Sequence, residues 1–252
     1  MAADSQLPTL PCPVILVPGL EGTGLLFYRQ VALLSTHHTV ITARLRDDAM
    51  RMDELVADLH GLVSRAAPAG GRVTLIGESF GGALTLSYAL AHPDRIDRLV
   101  ILNSFPYFEP QARLWLGYHL LLATPWGVMP LVRRLTAWRM HSPHTHRREL
   151  NTFHRLMRET TRAGYLARLR MLRDYDVRDR IAAIEAPVLY LAADRDHLVP
   201  SVKQAHTMSR LTRRATVRIL RGHGHTCLIA PDLDLATILD EWTRELASGD
   251  RQ

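Results

Sequence analysis

The sequence predicts an α/β chain with a mostly parallel, doubly wound sheet interrupted by one helical insertion. Three observations predict it. Short apolar runs alternate with helical patterns of about ten to fifteen residues, which is the signature of βαβ units. One of these runs, Val73-Thr74-Leu75-Ile76, reverses through Gly77-Glu78-Ser79-Phe80-Gly81 straight into a helical pattern. Between residues 108 and 178 no apolar run reads as a buried strand, and helical patterns split by Pro125, Pro130 and Pro143 take over.

The elements follow in order. After a short polar, proline-containing start, Pro13-Val14-Ile15-Leu16-Val17 is a continuous apolar run bounded by breakers and is expected to be a fully buried strand. It ends in Pro18-Gly19-Leu20-Glu21-Gly22-Thr23-Gly24. That loop lacks both the Lys-Ser/Thr ending of a P-loop and the Gly-x-Gly-x-x-Gly spacing, so it is not read as a nucleotide site. A helix over 25–35 and a strand near 39–45 come next. The stretch 52–63 spaces its apolar residues helically, with Asp53 and Glu54 near its start where the helix dipole favours negative charge. Gly70-Gly71 leads into the Val73 strand, and His92-Pro93-Asp94 stops the helix beyond Ser79. Leu99-Val100-Ile101-Leu102 and 187–193 are further buried strands, followed by a helix near 201–209, a last strand at 215–220 and a closing amphipathic helix over 232–246.

With 252 residues, of which 47% are hydrophobic, the chain can bury one sizeable core. The expected layout is a core of 1–107 and 179–252, with 108–178 inserted as a helical lid. No apolar stretch reaches the roughly 18 residues of a membrane span, and the first residues lack a basic region followed by an apolar one. Neither a transmembrane helix nor a signal peptide is expected. Cys12 and Cys227 are too few for a disulfide framework and too far apart for a metal motif, so a reducing cytoplasm is the expected location.

Net charge is +6, but it is unevenly placed: thirteen arginines meet five acidic residues within 108–178, so this segment carries +8 and the remainder −2. Such a segment can be a solvated helical surface, or can face nucleic acid, an anionic membrane surface or an acidic protein. No nucleic-acid module with interleaved aromatics accompanies it, so nucleic acid is not expected. Within it, Leu114-Trp115-Leu116-Gly117-Tyr118-His119-Leu120-Leu121-Leu122 is too short to span a bilayer and too apolar for a free surface. It can line an acyl pocket, through Trp115, Tyr118 and Leu121, or pack on the core. His141, His144 and His146 invite a metal reading, but Arg147 and Arg148 would repel a cation and Pro143 breaks any single helical face. No metal or cofactor is expected.

The Gly-x-Ser-x-Gly turn carries the chemistry. A strand that bends sharply into a helix through this pattern holds its serine on a strained corner with the hydroxyl exposed, and larger side chains at Gly77 and Gly81 would collide where strand and helix cross. A serine hydroxyl needs a base within hydrogen-bond reach and a third group to hold that base. In a doubly wound sheet these come from loops after later strands, in the order Ser, Asp/Glu, His. The loop after Leu191 offers Asp194 and Asp196, and the loop after Leu220 offers His223 and His225.

With these slots filled, nearly the whole chain resembles the α/β-hydrolase superfamily. Asp196-His197-Leu198-Val199-Pro200 matches that family's acid loop, and Gly224-His225-Thr226-Cys227-Leu228-Ile229 matches its base loop better than Gly222-His223 does. The resemblance therefore implies Ser79 as nucleophile, Asp196 as acid and His225 as base, with the backbone N–H groups of Phe80 and Leu20 as oxyanion donors and Gly19 at the substrate. The motifs 18–24, 77–82 and 225–229 also look like the hydrolase part of plant phytyl-ester-synthase-like acyltransferases, although the second acyltransferase domain of that group has no room here. The layout is similar as well to carboxylesterases acting on pimeloyl-carrier-protein methyl esters, which would give the basic lid an acidic carrier protein as partner. The implied activity is cofactor-independent hydrolysis of carboxylic esters with a medium or long acyl group, with acyl transfer to an alcohol or thioester hydrolysis as alternatives.

Overall fold

The structure is a computed structural model that describes residues 12–249, with the side chains of 113 and 136–139 left out. The expected polar start at 1–11 lies outside the described residues. Six strands form one sheet: β1 (Val14–Val17), β2 (Val40–Thr42), β3 (Val73–Glu78), β4 (Ile96–Leu102), β5 (Val188–Ala193) and β6 (Ala215–Leu220). Their order is β2-β1-β3-β4-β5-β6, and every pairing among them is parallel. The chain steps outward from β1 to β2 and then restarts on the other side at β3, so the order reverses between β1 and β3. Ligands of open parallel sheets bind at such a reversal, beyond the carboxyl ends of the strands.

Alternation along the strands sorts the core into two layers. Ile15, Val17, Leu75, Ile101 and Tyr190 point to one face, where they meet α2 (Met52–Ala66), α3 (Phe80–Ala91) and α8 (Ser201–Leu211). Val14, Leu16, Ile76, Val100 and Leu189 point to the other, against α1 (Tyr28–Leu34) and α9 (Leu235–Gly249), whose Trp242 is fully buried. This is why the strands read as unbroken apolar runs: both faces are covered.

Four helices lie between β4 and β5: α4 (Gln111–Ala123), α5 (Met129–Met140), α6 (Arg147–Leu156) and α7 (Arg162–Met171). Pro125 and Pro143 fall in the links between them, as expected. Pro130 does not split a helix; it is the second residue of α5, where the missing amide hydrogen would have had no acceptor in any case. No described helix is long and apolar enough to cross a membrane. Both cysteines, Cys12 and Cys227, are free thiols.

Candidate active site

Ser79 joins β3 to α3 with φ 54° and ψ −118°, a left-handed conformation that costs energy in any residue with a β-carbon. The surroundings hold it there. Its amide donates to the Leu102 carbonyl at 2.9 Å, and its carbonyl accepts from Ser104 Oγ at 2.7 Å, so the end of β4 clamps both sides of the turn. A β-carbon at Gly77 would strike the Gly81 carbonyl, and one at Gly81 the Val17 carbonyl; both glycines are steric requirements of the crossing.

The structure brings Ser79, Asp196 and His225 together. Ser79 Oγ lies 3.0 Å from His225 Nε2, and His225 Nδ1 lies 2.7 Å from Asp196 Oδ2. The imidazole and carboxylate are almost entirely buried, with side-chain exposures of 4% and 0%. Asp196 is held by its own loop: Oδ1 accepts the amides of Leu198 and Val199 at 2.8 and 2.9 Å, and Oδ2 accepts the Ser201 hydroxyl. Burial pushes the Asp196 carboxyl up, but the adjacent imidazole and these hydrogen bonds outweigh it and keep it below the usual range. Burial pulls His225 down, yet the charge and hydrogen bond of Asp196, aided by Glu78, raise it above its ordinary value. The competing pairs stand elsewhere. Asp194 accepts the Gly222 amide at 2.7 Å, and His223 Nδ1 sits 3.1 Å from Ser142 Oγ.

Leu20 follows β1 and lines the pocket around Ser79, and Phe80 opens α3, where a helix leaves its first amides without intrahelical acceptors. Gly19 does not line this pocket. Its missing side chain instead leaves room for the Glu78 carboxylate, which a β-carbon there would strike. Glu78 is buried in the pocket 3.8 Å from His225 Nε2; burial pushes its carboxyl well up from the usual range, against the pull of His225. Glu21 is a second buried carboxyl in the same pocket, also raised by burial.

Trp115, Tyr118 and Leu121 are not at Ser79. The pocket of about 50 Å³ there is walled on its apolar side by Leu26, Met140, Phe153, Met157, Tyr165 and Leu198. Trp115 and Tyr118 line a different cavity, of about 470 Å³, between α4 and α7. The reason is that α4 is apolar around its whole circumference, so its sequence does not tell which face turns inward. Leu114, Tyr118 and Leu121, at i, i+4 and i+7, pack on the core, and Trp115 points away with 61% exposure.

Two residues without a sequence signal complete the framework. Asn103, at the end of β4 with φ 47°, is fully buried and donates through Nδ2 to the His225 carbonyl at 2.8 Å while its Oδ1 accepts the Ala193 amide at 2.8 Å. It thus ties the base loop to the strand that leads into the acid loop. Arg168 of α7, 1% exposed, donates through Nε to the Leu20 carbonyl at 2.9 Å and through Nη2 to the Glu21 carbonyl at 3.4 Å, with Asp47 Oδ1 3.2 Å from Nη1. Its guanidinium fits only because residue 22 is glycine, whose added β-carbon would lie 2.5 Å from the guanidinium carbon.

The three histidines of 141–146 diverge. His141 is buried with its ring 4.5 Å from that of Phe153, and His144 Nε2 reaches Asp232 at 2.7 Å. Among the described residues, one group could hold a metal ion, His144 with His223 and Asp232, whose ligating atoms lie within 4.8 Å of one another. None of the three lines the Ser79 pocket.

A strained serine at the reversal of a parallel sheet, in hydrogen-bond line with a buried imidazole and carboxylate, defines an α/β-hydrolase. The family model described as serine aminopeptidase, S33, matches residues 42–232, and the chain belongs to that family of hydrolases. The RutD protein of Pantoea ananatis, named for carbamate hydrolysis, is 28% identical over 93% of this chain and 89% of its own length. RutD of Caulobacter sp. strain K31 is 28% identical over 93% and 91%. Among solved structures, a thermophilic esterase from Thermogutta terrifontis superposes with a TM-score of 0.81 at 20% identity, covering 93% of this chain and 90% of that one. A structure from work on the carboxylesterases of Nitrososphaera gargenis gives 0.77 at 21% identity, covering 94% and 92%.

Proposed function

We propose that this hydrolase cleaves carboxylic esters through an acyl-enzyme on Ser79. The observation that carries the reading is the unbroken line Ser79 Oγ to His225 Nε2 at 3.0 Å and His225 Nδ1 to Asp196 Oδ2 at 2.7 Å. His225 Nε2 takes the hydroxyl proton as Oγ bonds to the ester carbonyl carbon. The resulting oxyanion is met by the backbone N–H groups of Leu20 and Phe80, each worth about 10²–10³-fold in comparable sites. Nε2 then gives the proton to the departing alcohol oxygen, the C–O bond breaks, and the acyl group stays on Ser79. Water repeats the sequence: Nε2 takes its proton, the acid leaves, and Oγ regains hydrogen. Asp196 holds the ring and balances its charge.

Residues 108–178 act in this reading as a lid, since Met140, Phe153, Met157 and Tyr165 of that segment form the pocket's outer wall. The pocket at Ser79 is about 50 Å³ as it stands, so a medium or long acyl chain would require its walls, Met140, Phe153, Met157 and Tyr165, to move apart. Carbamate hydrolysis is a second reading, supported by the likeness to RutD and by the Glu78 and Glu21 carboxyl groups, which are acceptors for a substrate N–H.

The test is intact-mass measurement after treatment with a fluorophosphonate, wild type beside Ser79→Ala. A single adduct on the wild type alone is expected; a folded wild type that gains none overturns the nucleophile. A p-nitrophenyl ester series, with the matching carbamates assayed beside it, then tests acyl length: a preference for acetate over every longer chain would overturn a medium or long acyl substrate.

A further inference from the structure

We propose that α4 and α5 dock this protein onto an anionic bilayer surface. The apolar residues of these helices fall on two sides. One side is inward, with Leu114 and Met129 buried. The other faces solvent: Trp115, Leu116 and Leu120 of α4 are 61%, 53% and 57% exposed, and Val128, Leu131 and Leu135, at the start of and along α5, are 43%, 56% and 66% exposed. These positions recur at helical spacing, i, i+1, i+5 in α4 and i, i+3, i+7 from Val128, just before α5, into that helix, so each presents an apolar stripe to water. Isolated exposed leucines are ordinary, but this concentration is not: of the large apolar side chains exposed among the described residues, only Leu25, Met50 and Leu211 lie outside α4, α5 and the turn between them.

Charge identifies the occupant. From Pro110 to Arg148 the chain has six arginines and not one acidic residue. Two copies set face to face through these helices would oppose cation to cation, which argues against a homodimer. An acidic protein would satisfy the arginines, but the apolar stripes bring no charge for it to meet. A bilayer with anionic headgroups answers both, because leucine and tryptophan sink into the headgroup and acyl boundary while arginines remain at the phosphates. Arg134, exposed between Leu131 and Leu135, is placed for the second role. Neither helix is long enough to cross the membrane, so the contact is peripheral. The proposal stands apart from the reading of Ser79, since it concerns other residues and binding alone.

The experiment is co-sedimentation of the full chain with vesicles of phosphatidylcholine alone or with about a third phosphatidylglycerol, at low and high salt. The wild type and Ser79→Ala are expected to bind the anionic vesicles equally, and more weakly at high salt, where the screening length shortens. The Leu120→Ser/Leu131→Ser/Leu135→Ser variant should bind at least about tenfold more weakly, and Arg134→Glu several-fold more weakly. Circular dichroism checks that the variants fold. Should the triple variant fail to fold, the emission of Trp115 decides, taken as the difference between wild type and Trp115→Phe, which should shift to the blue on anionic vesicles. Failure of the wild type to bind anionic vesicles, undiminished binding by the folded triple variant, or a wild-type dimer that the same variant disperses would each overturn the proposal. Equal binding to soluble polyglutamate would do so as well, by pointing to an acidic protein.

Discussion

Helices α3 and α4 are both strongly apolar, and they end in opposite surroundings. Phe80, Ala83, Leu84, Leu86 and Ala89 of α3 are buried, whereas Trp115, Leu116, Leu120 and Leu122 of α4 face solvent. The difference lies in what stands beside them. The first is laid across β3 and β4 with α2 on its flank, while the second is backed chiefly by α7. Composition sets how much surface seeks cover, and neighbours decide how much receives it. Ser79 stands at the N-terminus of the helix that is held on all sides, while the helix held chiefly on one side keeps an apolar face in water.

The largest expected effect tests the fixed side. Ser79→Ala should lower kcat for ester hydrolysis by about 10⁶-fold, as loss of the nucleophile does in comparable triads, with an unchanged melting temperature. Arg168→Met tests the junction of the two regions. It leaves the Leu20 and Glu21 carbonyls without their buried donor and should lower kcat by about 10–100-fold, less than outright loss of an oxyanion donor. It should also cost about 2–4 kcal/mol of stability, read by urea denaturation. The comparison itself breaks or holds on a pair of truncations. Leu86→Ala in α3 should cost about 2–5 kcal/mol, and Leu120→Ala in α4 no more than about 0.5 kcal/mol. Equal losses would mean that α4 is buried in solution after all.

The smallest effect is one of pH. His225 must be unprotonated to accept the Ser79 proton, so kcat/KM should rise with pH through the His225 pKa. Negative charge on Asp196 and Glu78 raises that pKa. Glu78→Gln removes one of the two charges, lowers the pKa, and should move the rising limb of the profile to lower pH. A limb that stays in place would show that Glu78 keeps its proton throughout the working range.

The sheet, the turn and the three side chains that meet at it were legible because each has a local signature. Val14–Val17 and Val188–Ala193 are apolar runs between breakers, and Ser79 stands between glycines that sterics require. The pocket wall was not legible. Phe153, Met157 and Tyr165 reach Ser79 only through the packing of α6 and α7, and nothing in their spacing separates them from Trp115 and Leu121, which stay away. Asn103 and Arg168 were hidden for a related reason. Each acts on carbonyl groups far away in sequence, His225 and Leu20 respectively, and a carbonyl leaves no trace in the sequence. His144 is similar, since its partner Asp232 lies beyond the last strand rather than beside His141 or His146.

On the proposed reading of 108–178 as a lid, the grip of Arg168 on the Leu20 and Glu21 carbonyls constrains how that lid could lift. If the four inserted helices lifted as one body, that guanidinium would be drawn out of its socket and the donor loop beneath it would slacken each time a substrate came in. On that reading, a lid movement that spares this grip would involve the residues that precede Arg168 in the insertion. Phe153 and Met157, which wall the pocket, would then be free to move, while Arg168 would keep the peptide groups of Leu20 and Glu21 in place.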